Sequence, residues 1–246
     1  MEVKALPDEL MNWPLYFPIN SFKNISGLIG GFGTRFLTKR ILEEQAPFNQ
    51  FKLLLLKQLH SDVIQFYDSF TDKIREGDAL VTTSGGLLLC VQTADCLPVL
   101  IVNELRHIVA AVHCGWRGTV QRILPKVVHF LINSLGARRD ELKFAFGPRI
   151  CEQCYEVGEE VKEEFVRNKL PLTSLLSLPH QEGKWKLDLF KANLEQLKEE
   201  GIDISQIEMI NYCTYAHPML WSWRRDRKKA ARLFNFIGWL PQKKNV

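Results

Sequence analysis

The stretch LLLCVQTADCLPVLIVNELRHIVAAVHCGWRGTV, residues 87–120, decides the fold. Three apolar runs fill it: Leu87–Gln92, Leu97–Val102 and Ile108–His113. Their aliphatic and β-branched content reads as β-strand. They are apolar on both faces, so the sheets that hold them need cover on both sides. Chemistry sits at the breaks between the runs. Cys96 follows a turn at Thr93-Ala94-Asp95, and His113 closes the third run, with Gly115 and Gly118 directly behind it.

Further strands are expected at Gly27–Phe32, Phe51–Leu56, Val63–Tyr67, Leu142–Phe146, Ile207–Tyr212 and Leu233–Ile237. Helical spacing appears in Thr119–Leu135, where Val120, Ile123, Leu124, Val127, Leu131 and Leu135 recur on one face. Pro125 inside it should kink that helix or delay its start. Gly158–Asn168 is acidic and amphipathic, with Val161, Phe165 and Val166 expected inward. Leu187–Glu200 places Leu187, Phe190, Leu194 and Leu197 on one stripe, and Gly201 is its stop. Strands cluster between helices without regular βα alternation, which favours an α+β fold of mixed sheets flanked by helices. No Pro/Gly/Ser linker divides the 246 residues, so residues 1–246 are read as one domain.

Composition is that of an ordinary soluble globular chain, 46% hydrophobic and 24% charged. A net charge of +4 is mildly basic. It falls short of a nucleic-acid-binding stripe but suits an anionic substrate. MEVKALPDELMNWP lacks the charge and apolar pattern of a secretory signal, and no apolar run approaches 18 residues. The six cysteines are therefore expected as reduced thiols in the cytoplasm.

His60 in KQLHSD, Cys96 and His113 form the candidate metal set. Two imidazoles and a thiolate suit a borderline transition metal, above all zinc, and three protein ligands with a fourth place open define a catalytic site. Taken singly, a histidine at a strand end is commonly a hydrogen-bonded structural residue, and a cysteine beside apolar strands a small buried hydrophobe. Asp95 or Asp62 is placed to orient a ligand histidine or shuttle a proton. Cys151-Glu-Gln-Cys154 has no second pair at matching spacing and reads as a loop before a helix. Thr34-Arg35 follows Gly30-Gly31-Phe32-Gly33, and the start of the helix near Arg117–Thr119 points free N–H groups at an anion. WSWRRDRKKAAR, residues 221–232, is read mainly as a solvated basic face, with Arg224 and Arg225 as the arginines placed to reach phosphate.

GGFGTR, KQLHSDVI, GDALVTTSGGLLLCVQTADCLPVLI, AAVHCGWRGTV, FGPRICEQCYEVGEEV and CTYAHPMLWSWRRD together resemble the bacterial laccase-domain family. That family is also described as multicopper polyphenol oxidases and as purine nucleoside phosphorylases. The resemblance implies an α+β fold with related halves, similar to the cytotoxic-necrotizing-factor-like Cys–His fold. It implies zinc, or copper as the alternative, on His60, Cys96 and His113, and a phosphate contact from Arg35; the residues themselves add Asp95 and Cys96 as catalytic candidates and Arg117 and Arg224 as substrate or phosphate contacts. The implied activity is phosphorolysis of adenosine, inosine, guanosine and methylthioadenosine, with adenosine deamination. Purine nucleosides and phosphate are then the partners, with no nucleic acid and no membrane. The chain departs from the family at Trp223, where tyrosine is usual, and at Ala230-Ala231-Arg232, where Thr-Gly-Arg is usual. Two other chemistries stay open: copper oxidation of phenols, which needs more histidine clustering than six histidines in no His-x-His pair offer, and a cysteine amidase with Cys96 as nucleophile and His113 as base, editing cell-wall precursors.

Overall fold

A seven-residue strand with no polar face is stable only between two other layers, and three such strands set the architecture. The computed structural model describes residues 14–178 and 181–241; the amino-terminal segment read for a secretory signal, residues 1–13, and His180 lie outside them. In chain order the elements begin β1 (Tyr16–Pro18), β2 (Leu28–Gly33), α1 (Lys39–Glu44), β3 (Lys52–Leu54), β4 (Leu56–Lys57), β5 (Ile64–Tyr67), β6 (Arg75–Glu76) and β7 (Ala79–Thr82). Next come β8 (Leu87–Thr93), β9 (Leu97–Asn103), β10 (Ile108–Cys114), α2 (Trp116–Val120), α3 (Ile123–Asn133) and β11 (Lys143–Phe146). The last are β12 (Glu156–Gly158), α4 (Glu159–Arg167), β13 (Leu175–Ser177), β14 (Lys184–Leu187), α5 (Leu189–Glu199), β15 (Ile207–Met209), α6 (Trp223–Asp226) and β16 (Leu233–Trp239).

Two large mixed sheets carry the fold, one ordered β1-β2-β16-β8-β3 and the other β15-β11-β9-β10-β7-β5. They pack face to face. Leu87, Leu89, Val91 and Ile237 of the first meet Leu80, Leu100, Val102, Val109 and Ala111 of the second. Strand alternation then sends the intervening residues outward. Leu88, Cys90 and Phe236 pack with Leu37, Leu42 and Phe48 on one outer side. Val99, Ile101, Ala110 and Val112 pack under Ile123, Val127 and Leu131 of α3 and Phe165 of α4 on the other. The result is four layers, helix–sheet–sheet–helix, and it accounts for the absence of a polar face in β9 and β10.

The expected helix at Thr119–Leu135 is two helices. Arg122 takes a left-handed conformation (φ 59°) between α2 and α3. Pro125 then falls in the first turn of α3, where its missing N–H would have had no intrahelical partner. Four other readings are corrected. Leu187 closes strand β14, because Asp188 caps α5 by accepting the Lys191 N–H. Val166 is 54% exposed, and α4 buries Val161 and Phe165 instead. The run Phe51–Leu56 divides, with β3 joining the first large sheet and β4 pairing with β6. Strands β7, β12, β13 and β14 were not expected: β7 is four residues long, and the other three carry charged or polar side chains through a small separate sheet. All six cysteines are free thiols, and among the described residues no helix is long and apolar enough to cross a membrane.

Candidate metal centre

Cys96 lies where the chain crosses from one large sheet to the other, between β8 and β9. His113 is the sixth residue of β10, and its neighbour Cys114 pairs with Leu97 beside that crossing. His60 comes from the loop between β4 and β5, in a left-handed conformation (φ 59°). The ligand atoms of the three all lie within 4.8 Å of one another. Cys96 Sγ is 3.9 Å from His60 Nε2, and the two imidazole centroids are 4.9 Å apart at 75°. The three expected residues meet.

The group that assembles them, Asp78, was missed by sequence reasoning. It stands immediately before β7, fully buried. Its carboxylate accepts His113 Nδ1–H at 2.8 Å, fixing the tautomer so that Nε2 is the ligating atom. It also accepts the backbone N–H groups of Leu59, His60 and Ser61 and the Ser61 hydroxyl, at 2.7–3.1 Å. One carboxylate thus orients one ligand and shapes the loop that presents another. The signal for it in the sequence is an acid directly before an apolar run, Asp78 then Ala79-Leu80-Val81.

Neither acid named from the sequence plays that part. Asp95, in a positive-φ conformation (φ 93°), accepts the Thr214 hydroxyl at 2.6 Å and the Arg224 N–H at 2.7 Å. It therefore ties the Cys96 turn to the carboxy-terminal segment. Asp62 is ion-paired with Lys126.

Gly115 is required by close approach. A Cβ there would stand 2.9 Å from His60 Cδ2 and 3.2 Å from Cys96 Sγ. Gly115→Ala should push the imidazole and thiol apart and weaken metal binding by about 10–100-fold, the range for disturbed ligand orientation; metal titration of the purified variant measures it.

The metal-free centre is a charge pair. Burial opposes ionisation of Cys96, but the charge of His113 and hydrogen bonds from His113 and His60 outweigh it and bring the thiol down to about 6. Burial likewise opposes the imidazolium of His113, but the Cys96 charge and the Asp78 hydrogen bond raise it to about 9. Two imidazoles and a thiol that ionises readily, held by Gly115 and Asp78, fit one borderline dication.

All three ligands open on a cavity of about 730 Å³. The same cavity is lined by Arg117, Arg224, Arg227 and Arg232 together with Trp116, Tyr155 and Trp223. Arg117 lies over the Trp116 ring (4.3 Å), Arg224 over Tyr155 (5.4 Å) and Arg232 over Trp223 (5.7 Å). Arg224 is further fixed by donating to the Glu156 carbonyl at 2.6 Å. Arg227 and Arg232 thus join a wall that the sequence reading confined to Arg117 and Arg224. Arg35 does not line this cavity: its guanidinium stacks on Trp221 at 4.1 Å and donates to the Pro218 carbonyl. Arg225 is spent on the carbonyls of Thr214, Tyr215, His217 and Leu220, and on Asp226.

A four-layer α+β fold with a His–Cys–His centre beside a cationic cavity defines the class. The chain belongs to the multi-copper polyphenol oxidoreductase laccase family, whose profile matches residues 38–240. It is 37% identical over 192 residues to a protein of Clostridium acetobutylicum named purine nucleoside phosphorylase, covering 77% of this chain and 78% of that one. It is 33% identical over 225 residues to adenosine deaminase RL5 from an unknown prokaryotic organism, covering 87% and 86% of the two. The fold matches YfiH of Bacillus licheniformis with a TM-score of 0.82 at 24% identity, over 93% of this chain and 97% of that one. YlmD of Geobacillus stearothermophilus matches with a TM-score of 0.78 at 26% identity, over 88% and 93%.

Proposed function

We propose that this chain is a cytoplasmic, zinc-dependent purine nucleoside phosphorylase acting on adenosine, inosine, guanosine and methylthioadenosine, and that it also deaminates adenosine. One observation carries the reading: the His60–Cys96–His113 centre and a set of arginines and aromatic rings line one and the same cavity. In phosphorolysis a phosphate oxygen forms a bond to ribose C1′ as the bond from C1′ to the purine nitrogen breaks. The anion needs fixed cations and the purine needs flat apolar surface. Arg117, Arg224, Arg227 and Arg232 supply the first; Trp116, Tyr155 and Trp223 supply the second. Arg224 is pre-positioned by Asp95 and Glu156, so it loses little conformational freedom on holding phosphate. His60, Cys96 and His113 would hold the metal, with Asp78 fixing the His113 ring. A zinc ion held there would supply Lewis acidity of the kind deamination uses. The names of the relatives, purine nucleoside phosphorylase and adenosine deaminase, support the two activities.

Incubation of the metal-loaded protein with adenosine, with and without inorganic phosphate, tests this. Adenine and ribose 1-phosphate should form only with phosphate, and inosine should form without it. Product formation indifferent to phosphate would remove the phosphorylase reading.

A second reading has its own observation. Cys96, His113 and Asp78 form a nucleophile–base–orienter series, with the Cys96 thiol ionising near 6. That arrangement suits a cysteine amidase acting on cell-wall precursors, the Cys–His chemistry of the necrotizing-factor-like fold. Amide hydrolysis that persists after chelation of metal would favour it. The copper oxidase reading draws no such support from the described histidines. His107 stacks on Trp239, His129 pairs with Glu200 and His217 packs against Tyr212, so a multinuclear cluster does not assemble from them.

A further inference from the structure

Cys151, Cys154 and Cys213 have no part in the centre described above. The first two lie between β11 and β12, and the third lies between β15 and α6. The fold joins them through an isolated parallel bridge, in which Arg149 N donates to the Tyr212 carbonyl and Thr214 N to the Arg149 carbonyl. Their three sulfurs lie within 4.8 Å of one another. Cys151-Glu-Gln-Cys154 lies in a loop, as its sequence reads, and its third partner is remote in the sequence.

Two observations give this cluster a chemical direction. The first is hydrogen bonding to sulfur. Cys154 N donates to the Cys151 carbonyl at 3.0 Å, closing a tight turn, and Cys151 N donates to Cys213 Sγ at 3.3 Å. Amide donors on sulfur stabilise the thiolate, which is the form that ligates metal. The second is Arg149. It is 6% exposed, its Nε has no partner, and its Nη1 meets only the amide oxygen of Asn211 at 3.3 Å. Its guanidinium lies over the Phe190 ring at 4.9 Å, and among the described residues no acid forms an ion pair with it, Asp188 and Glu152 acting on its charge only from a distance. A buried guanidinium without an ion pair calls for a counter-charge. Three thiolates around a dication carry a net charge of −1 and supply it.

We propose that Cys151, Cys154 and Cys213 bind a thiophilic dication of the zinc class, forming a second metal site independent of His60–Cys96–His113. Tetrahedral Zn–S bonds of about 2.3 Å place sulfurs roughly 3.8 Å apart. The present spacing accommodates that with small side-chain movements. The site's role is to brace the cavity. Tyr155, next to Cys154, lines it; Thr214, next to Cys213, bonds Asp95; and Ile150 N, next to Cys151, donates to the Asp95 carbonyl at 3.0 Å. A metal here would hold both the aromatic wall and the turn that presents Cys96. The proposal does not rest on the purine reading.

The test uses the full chain, kept reduced, with zinc alone as the probe. Wild type should bind about two zinc ions, and His60→Ala about one. Adding Cys213→Ser to His60→Ala should remove the remaining ion. Thiol alkylation mapped by mass spectrometry on wild type guards against a misfolded variant: Cys151, Cys154 and Cys213 should be protected by zinc and released by chelator, at least 10-fold in rate. A single zinc in wild type, lost entirely in His60→Ala, would overturn the proposal. So would equal alkylation of the three cysteines with and without zinc.

Discussion

A Cys96→Ala chain is expected to stay folded, lose the ion held by His60–Cys96–His113, and lose about 1,000-fold or more in kcat/KM for phosphate-dependent cleavage of adenosine. That factor corresponds to about 4 kcal/mol of transition-state stabilisation. The argument is geometric. The Cys96 thiol lies 3.9 Å from His60 Nε2 in the cluster proposed to hold the ion, and alanine offers no donor atom. The fold should tolerate the change, because it removes a half-buried side chain at a sheet crossing and leaves β8 and β9 paired. Metal content, far-ultraviolet circular dichroism and initial rates read the three parts of the result separately. An alanine variant that keeps both its metal and its rate would show that the chemistry lies elsewhere.

Asp78→Ala should be the more damaging change to the protein itself, costing about 3–5 kcal/mol of stability, the range for deleting one partner of a buried charged network. Three backbone N–H groups and a hydroxyl on a half-exposed loop would lose their buried acceptor, and His113 would lose the group that fixes its ring. For a chain of this size the melting temperature should fall by roughly 10 °C, with metal affinity down about 10–100-fold. The dependence on pH has a definite sign. Burial pushes the Asp78 carboxyl up, but hydrogen bonds from His113 and then Ser61 hold it well below the usual carboxylate range. Its stabilisation is therefore complete above the ordinary carboxylate range and is lost as the pH falls beneath it. Asp78→Asn should lack that acid dependence, and thermal melts across an acid pH series compare the two.

The parts of the fold legible in the sequence are those where burial leaves no ambiguity. β8, β9 and β10 read as strands because both sheet faces are covered, and every position but Gln92, Thr93, Asn103 and His113 near their ends is apolar. The small sheet of β12, β13 and β14 was hidden because Glu156, Lys184 and Lys186 sit in it on exposed or half-exposed positions. The break at Arg122 was hidden because an unbroken apolar face continues across it, and Pro125 alone hinted at a late helix start. In the centre, ligand types could be read because imidazole and thiolate at strand ends carry their chemistry with them. The orienting acid could not be, since Asp78, Asp62 and Asp95 look alike until the loop around His60 closes on one of them. Arg35 was assigned to phosphate by resemblance, and it faces Trp221 instead. Arg227 reads as solvated charge in the sequence, because only the fold brings it and Arg232 to the cavity that Cys96 lines.

The crossing at Cys96 has a consequence for the life of the protein in a cell. One ligand sits on the strap between the two large sheets, one ends a strand of the second sheet, and one hangs on a loop moored to it by Asp78. An ion seated there would act as a rivet through the sandwich. Occupancy at about 100 times the dissociation constant would add roughly 2.7 kcal/mol to the folded state. Scarcity of metal would then thin out the population of intact molecules as well as silencing those that remain.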